Sequence, residues 1–255
     1  MSDADRLAIL NRQPRRFSDL KRMAQSPAHY AYAAVESSRA IMVGTAADTL
    51  ILGGQVLAYP GAVRRGKEWE AWQAAQDPEA LIVTRTELEA AEGVARAVER
   101  HPDAKALLQG VRRDTLYWSN QGRACRGTPD VRTARFLTDL NTSETSDPRF
   151  FPCKVRRFAY HAQLAWYRDG CERAGLPRPE ECYIIAVKQK PPHVVTVYVL
   201  TEHILELGAR LCRLWFEQLK LCEESGTFPG YSQSLVELDL PEFDDATDVI
   251  ALEDA

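Results

Sequence analysis

The spacing of hydrophobic and polar positions divides this chain into a helical first half and a mixed second half. The first forty residues read as irregular and helical, with Ser26-Pro27 opening a segment His29–Ser37 of helical composition. A longer helix is predicted near residues 42–53, where Gly44, Asp48 and Leu52 recur at i, i+4 and i+8 and Gly53-Gly54 stops it. A Trp-containing helical stretch over Gly66–Gln76, a short apolar run Ala80–Val83 and a helix over Glu87–Arg100 follow. Thr86-x-x-Glu89 is a capping box for that helix, and His101-Pro102 ends it. From Thr115 the period changes to two. Leu116-Tyr117-Trp118, the turn Gln121-Gly122 and two runs at roughly 123–132 and 135–141 predict a β-meander. Beyond the polar loop Ser143–Pro152, Phe158–Cys171 predicts the most amphipathic helix of the chain, with Tyr160, Gln163 and Tyr167 on one side. Tyr183–Lys188 and Val194–Leu200 predict strands separated by Pro191-Pro192, and Glu202–Ser225 predicts a long final helix with Gly226 at its C-cap.

The two carboxylate-bearing runs are where chemistry enters. A hairpin of 123–132 with 135–141 would bring Asp130 and Asp139 to one end of a sheet, where a hard divalent cation finds oxygen ligands. Strand alternation places Asp139 and residue 141 on the same side, with Leu140 opposite, so a Lys at 141 would reach a phosphate beside the metal. This chain has Asn141.

Composition narrows the class. At 255 residues, with 45% hydrophobic and 27% charged residues, the chain can bury one sizeable core. A domain over 1–240 and an acidic tail over 241–255 are expected. No apolar run approaches ~18 residues and the segment Met1–Arg16 is polar, so neither a membrane span nor a signal peptide is expected and the location is read as cytoplasmic. The six cysteines show no C-x-x-C spacing, which argues against a zinc site, an iron–sulfur cluster or a disulfide framework and for reduced, buried thiols. Net charge is −4, but eight of the 36 acidic residues and none of the 32 basic ones fall in 237–255, leaving residues 1–236 at +4. Basic clusters at Arg64-Arg65-x-Lys67, Arg112-Arg113, Arg123 with Arg126, and Lys154-x-Arg156-Arg157 are placed to meet phosphates, or form an ordinary solvated face.

Several segments carry a resemblance: Ser26-Pro27-Ala28-His29-Tyr30, Gly44-Thr45-Ala46, Tyr59-Pro60-Gly61, Arg126–Asp130, Thr138-Asp139-Leu140, Tyr160 through Tyr167, Lys190-Pro191-Pro192, and Cys222-Glu223-Glu224-Ser225-Gly226-x-x-Pro229-Gly230-Tyr231. Together and in this order they resemble the RecE-like (exonuclease VIII) branch of the PD-(D/E)xK nucleases, related to the RecB nuclease domain and lambda exonuclease. The resemblance implies an α/β fold, a restriction-endonuclease-like core with a central mixed β-sheet flanked by helices. It also implies a Mg²⁺- or Mn²⁺-dependent exonuclease acting on double-stranded DNA ends in recombination or repair. A homo-oligomer and a RecT-like single-strand annealing partner come with it.

The family pattern places a His on the early helix, a Glu on the strand before the hairpin, two hairpin acids and a Lys two residues after the second acid. Here those positions carry Asp48, Arg113, Asp130, Asp139 and Asn141, and a further Glu position before Lys-Pro-Pro falls on Lys188. Asp130, Asp139 and Asp48 are therefore the candidate metal ligands, Asn141 and Arg113 the altered catalytic positions, and Gln163, Tyr167, Tyr160 and Lys188 the candidate substrate contacts. Arg113 places a fixed cation where a ligand is expected, and Asn141 cannot supply the charge that steadies a pentacoordinate phosphate. Impaired catalysis is expected, with a non-catalytic DNA- or partner-binding pseudo-nuclease as the alternative. Three clustered aspartates without a metal need counter-charges, so salt bridges from Arg113 or Lys188 to them are expected, in a cavity that binds no metal; Mg²⁺ or Mn²⁺ is expected only if the protein is active.

Overall fold

The computed structural model describes residues 12–32, 39–61, 63, 65–232 and 234–238. Arg64, part of the predicted His29–Ser37 segment and the acidic tail lie outside the described residues. In chain order the elements are α1 (Phe17–Gln25), α2 (Pro27–Tyr32), α3 (Arg39–Ile51), β1 (Val56–Ala58), α4 (Lys67–Ala74), β2 (Leu81–Val83), α5 (Arg85–Arg100), α6 (Pro102–Leu107), β3 (Val111–Arg112), β4 (Leu116–Asn120), β5 (Arg123–Gly127), β6 (Val131–Arg132), β7 (Phe136–Ser143), α7 (Phe151–Phe158), α8 (Tyr160–Arg173), β8 (Glu181–Lys188), β9 (Val195–Val199) and α9 (Glu202–Ser225).

The central sheet is mixed, with strand order β3-β6-β7-β8-β9; β7 and β8 run parallel and the other neighbours antiparallel. β7 and β8 are covered on both faces, which is why their apolar residues run almost without interruption. Alternation sorts those residues between two cores. Leu137, Cys182, Ile184 and Ala186 pack with Leu164 and Trp166 of α8 and Phe216 and Leu219 of α9. Leu140, Ile185 and Val187 face the opposite way, onto Ala46 and Ala47 of α3 and Ala91, Val94 and Val98 of α5. The architecture is thus a central mixed sheet flanked by helices, as expected.

Three sequence expectations are corrected by the local chemistry. The predicted meander is divided: β4 and β5 form their own hairpin across Gln121-Gly122, and only β6 pairs with β7. Pro129 lacks an N–H to continue a ladder, so the run 123–132 breaks at Thr128-Pro129-Asp130 and passes from one sheet to the other. The capping box of α5 is Thr84 with Glu87, not Thr86 with Glu89: Thr84 Oγ1 accepts from the Glu87 N–H at 3.2 Å, and Glu87 accepts from the Thr84 N–H at 2.7 Å. Glu87 is buried there, whereas Glu89 is exposed and pairs with Arg85. The helix predicted over Phe158–Cys171 begins at Tyr160, after a break at left-handed Ala159, and is buried on most of its circumference rather than amphipathic. Its burial depends on Gly208 of α9, where a Cβ would lie 2.5 Å from the His161 carbonyl oxygen.

The cysteines are all free, and all but Cys153 are buried. A buried ion network ties the chain's distant parts together: Arg15 and Arg123 both donate to Glu223, at 2.6 and 2.7 Å. Among the described residues no helix is long and apolar enough to cross a membrane.

Candidate active site

β7 presents the central carboxylate. Asp139 is buried in the middle of the strand, and both of its oxygens accept an amide proton: Oδ2 from Asn141 Nδ2 at 2.7 Å, Oδ1 from Gln163 Nε2 at 3.1 Å. Asn141 shares the side of Asp139 through the period of two, and Gln163 arrives from α8 across the same face. Gln163 also donates to Tyr167 Oη at 3.3 Å. Tyr167 can lie flat against the β4–β5 hairpin because its partner is Gly127; a Cβ there would fall 2.7 Å from its ring.

Asp130 stands at the bend before β6, and its Oδ2 accepts the Leu140 N–H at 2.8 Å, which locks the carboxylate to β7. Asp48 enters from α3, which packs against β7 near Thr142. One Asp48 oxygen and the Thr142 hydroxyl are buried without a hydrogen-bond partner.

The electrostatics show a site short of positive charge. Burial pushes the Asp48 carboxyl up to about 8, helped by repulsion from Asp130 and opposed by Arg113. Asp130 is raised by burial against the Leu140 N–H and Arg113. Asp139 is raised well above the carboxylate range, first by burial and then by Asp130, while the Asn141 hydrogen bond and the charge of Lys21 act the other way. Tyr160 and Tyr167 are raised by burial and by the charge of Asp139.

A cavity of about 510 Å³ opens beside this cluster, and its lining includes Asp48, Asn141, Thr142, Lys154, Arg157, Phe158 and Tyr160. Lys154 pairs with the exposed Glu144 at 2.5 Å, and Arg157 lies over the Phe158 ring. Of the other basic clusters, Arg112 is spent on the carbonyls of Leu108 and Ile51, and Arg123 on Glu223 and Glu224.

Most of the residues singled out from the sequence therefore converge: Asp48, Asp130, Asp139, Asn141, Gln163, Tyr167 and Tyr160. The expected salt bridges do not form. Arg113 is held in a left-handed conformation (φ 49°), its N–H donates to the Asp130 carbonyl, and its guanidinium acts on Asp48 and Asp130 only at a distance. Lys188 lies at the end of β8 opposite Ser143 and makes no ion pair with the aspartates, because the register sets Ala186, not Lys188, beside Asn141. The aspartates are compensated instead by amide donors from Asn141, Gln163 and Leu140.

Lys21 of α1 is the residue that sequence reasoning missed. A readable signal existed, since Lys21 lies one turn beyond buried Phe17 and beside buried Leu20, against the inward face of the helix.

The donor chemistry fits a hard divalent cation: buried carboxylates with unmet charge, and an Asp48 oxygen without a partner. As the side chains lie, no three His, Cys, Asp or Glu groups among the described residues stand close enough to share one ion, although the three aspartates feel one another's charge. Asp130, Asp139 and Asp48 are the residues that could hold such an ion.

A mixed sheet with two aspartates converging at β6 and β7, flanked by helices on both faces, defines a protein of the PD-(D/E)xK nuclease type. The chain belongs to the family described as a PDDEXK-like domain of unknown function (DUF3799), whose profile matches residues 16–236. Among solved structures it is similar to a candidate exonuclease from Eubacterium rectale, with a TM-score of 0.64 and 14% identity over 95% of both chains, a likeness of fold. Another, SSO0001, shares 12% identity over 85% of this chain and 98% of that one at a TM-score of 0.30, which carries no structural argument. Comparison with curated proteins gives no match. Nucleases of this superfamily typically use divalent metal ions.

Proposed function

We propose that this protein is a RecE-like nuclease that hydrolyses phosphodiesters of duplex DNA from an end, as one domain over 1–240. The observation that carries the reading is the cluster of three under-compensated aspartates, Asp48, Asp130 and Asp139, of which Asp48 lines one cavity together with Lys154 and Arg157. The segment-by-segment resemblance and the fold shared with the E. rectale protein support it. Mg²⁺ or Mn²⁺, held by Asp130, Asp139 and Asp48, would polarise the phosphate and lower the pKa of an attacking water.

The chain's own residues have separable tasks in this reading. Gln163 and Asn141 hold Asp139 in one orientation from either side, and Tyr167 fixes Gln163 in turn. Leu140 holds Asp130 through its backbone. Lys154 and Arg157 attract the DNA strand into the cavity, and the Phe158 and Tyr160 rings line its path. Asn141 orients but supplies no charge, so the rate is expected to be low for the fold. From the resemblance alone the reading extends to self-assembly on DNA and a RecT-like annealing partner.

The neutral amide at 141 and the incomplete three-ligand geometry favour a second reading, a duplex-binding protein without hydrolysis. One experiment separates the two: linear and covalently closed circular duplex are incubated with Mg²⁺, Mn²⁺ or EDTA. Nucleotide release from the linear form alone, lost in EDTA and in Asp139→Asn, is the expected result. Tight duplex binding with no release in either metal would replace the first reading by the second.

A further inference from the structure

The aspartate cluster has a cation that none of the family's motif positions accounts for. Lys21, half-buried on α1, holds its ammonium 5.0 Å from the centroid of the Phe158 ring, and Phe158 lines the cavity with Asp48 and Asn141. Among the described residues Lys21 has no carboxylate within ion-pair distance, unlike Lys154, which is occupied by Glu144. A lysine withdrawn from water without an ion-pair partner is costly unless a charge or ligand compensates it. Among the described residues the acid whose charge acts on it is Asp139, which opposes the lowering that burial imposes on the lysine. The effect is mutual, since Lys21 is the cation whose charge bears on Asp139.

Resting on the nuclease reading above, we propose that Lys21 supplies, from α1, the positive charge at the scissile phosphate that position 141 does not supply from β7. The face is the right one: α1 packs through Phe17, Leu20 and Met23 into the same core as Leu137 and α8, the side of the sheet on which Asp139, Asn141 and Gln163 meet. Phe158 is the support, with Lys21 and Arg157 both over its ring at 5.0 and 5.7 Å. In the hydrolysis a water oxygen bonds to phosphorus and one P–O ester bond breaks with its electron pair on the departing sugar oxygen. The proton given up by the water ends on that oxygen. Lys21 stays protonated throughout, donating hydrogen bonds to the non-bridging oxygens as charge gathers on them, so its contribution is electrostatic. The same charge beside Asp139 weakens the hold of the aspartates on a divalent cation, which makes the placement measurable without any turnover.

The test compares the wild type with Lys21→Met, Lys21→Arg, Asn141→Lys and the double variant Lys21→Met/Asn141→Lys, in two measurements. First, Mn²⁺ is titrated against melting temperature without DNA. Lys21→Met should tighten the apparent Mn²⁺ affinity by about tenfold, Lys21→Arg should leave it in place, and the double variant should return towards wild type. Second, digestion of linear duplex is followed under saturating Mn²⁺. Lys21→Met should lose about 100-fold in kcat with little change in KM, Lys21→Arg should retain most activity, and the double variant should recover. Wild type that digests DNA while Lys21→Met digests it equally well overturns this inference and leaves the nuclease reading standing. Wild type that does not digest overturns the nuclease reading, and with it the catalytic role; the Mn²⁺ titration then decides the placement, which falls if Lys21→Met does not change the affinity. No Mn²⁺-dependent shift in any variant overturns both.

Discussion

Asn141 donates its side-chain amide to Asp139 Oδ2 across 2.7 Å, two residues along the same strand. A lysine at that position would bring charge; the asparagine brings a hydrogen bond that favours the ionised carboxylate and so pulls the Asp139 pKa down against burial and against Asp130. Residue 141 has become an orienter. A metal needs Asp139 ionised, so losing the donor should push metal binding to higher pH. Asn141→Ala is expected to move the pH of half-maximal Mn²⁺ stabilisation up by about one unit, the order expected for one hydrogen bond to a charged group. Melting curves with and without Mn²⁺ between pH 5 and 9 check this; an unmoved midpoint means that Asn141 does not govern Asp139.

How far the chain discloses its structure before any coordinates depends on the range of the forces involved. β7, β8 and α9 were legible because their patterns are local: buried parallel strands read as apolar runs, and Gly226 takes the left-handed C-cap that a helix end favours. The approach of Asp130 to β7 was legible from the spacing of the two carboxylate-bearing runs, whereas the break at Pro129 was not. Competition between equally good local signals was not. Thr84 and Thr86 both begin a Thr-x-x-Glu pattern, and only packing against the α3 core determines that Glu87, not Glu89, closes the box. Lys188 and Arg113 carry the right charge to neutralise the aspartates, but strand register turns the first away and a left-handed backbone holds the second at a distance. Lys21 is about 118 positions from Asp139 in the chain, and no spacing rule spans such a separation.

Asp48 is where burial and ionisation conflict most plainly. Its pKa rises from 3.8 to about 8 on folding, so between those values the folded state holds a proton that the unfolded state has released, and stability falls as pH rises. The contribution is present in full near pH 4 and is lost as pH approaches 8. In EDTA, Asp48→Asn should therefore stabilise the protein by up to about 5 kcal/mol at pH 8, at about 1.4 kcal/mol per pKa unit, roughly 10–20 °C in melting temperature, and by almost nothing at pH 4. The same substitution should diminish the stabilisation that Mn²⁺ confers. Equal melting temperatures for the two proteins at pH 8 in EDTA would show that Asp48 is not held in a dry, acidic pocket.

The Glu223 network predicts a defect in folding without a defect in chemistry. Glu223 joins Arg15, beside β5, and Arg123, at the start of β5, to the end of α9, and its side chain and that of Arg15 are both below 10% exposed. Removing the acid takes the carboxylate from a buried guanidinium, so Glu223→Ala should cost about 3–5 kcal/mol in denaturant unfolding. The fraction that remains folded should digest duplex at the wild-type rate per molecule. A loss of activity in fully folded Glu223→Ala would mean that the network reaches the aspartates.

DNA binding itself should be governed by the basic wall of the cavity, and its salt dependence counts the contacts. Each phosphate neutralised releases condensed counterions, with a slope of about 0.9 in log K against log salt for duplex DNA. Arg157→Ala should lower that slope by nearly this amount, because Arg157 is exposed, lies over the Phe158 ring and among the described residues has no carboxylate within ion-pair distance. Lys154 is different, since Glu144 already holds it at 2.5 Å, with side chains 19% and 79% exposed respectively. A phosphate must displace Glu144 to reach Lys154, so Glu144 is a built-in competitor for the DNA strand. Glu144→Gln should accordingly tighten duplex affinity several-fold and raise the salt slope, while Lys154→Ala should cancel that gain and leave Glu144→Gln without effect in its background. Lys105, which pairs with Glu99 away from the aspartates, is the control: Lys105→Ala should change neither quantity. Anisotropy titrations of a labelled linear duplex from 50 to 300 mM salt measure both. If Glu144→Gln and Arg157→Ala bind like the wild type across that range, the cavity is not where DNA lies, and the aspartates serve some other ligand.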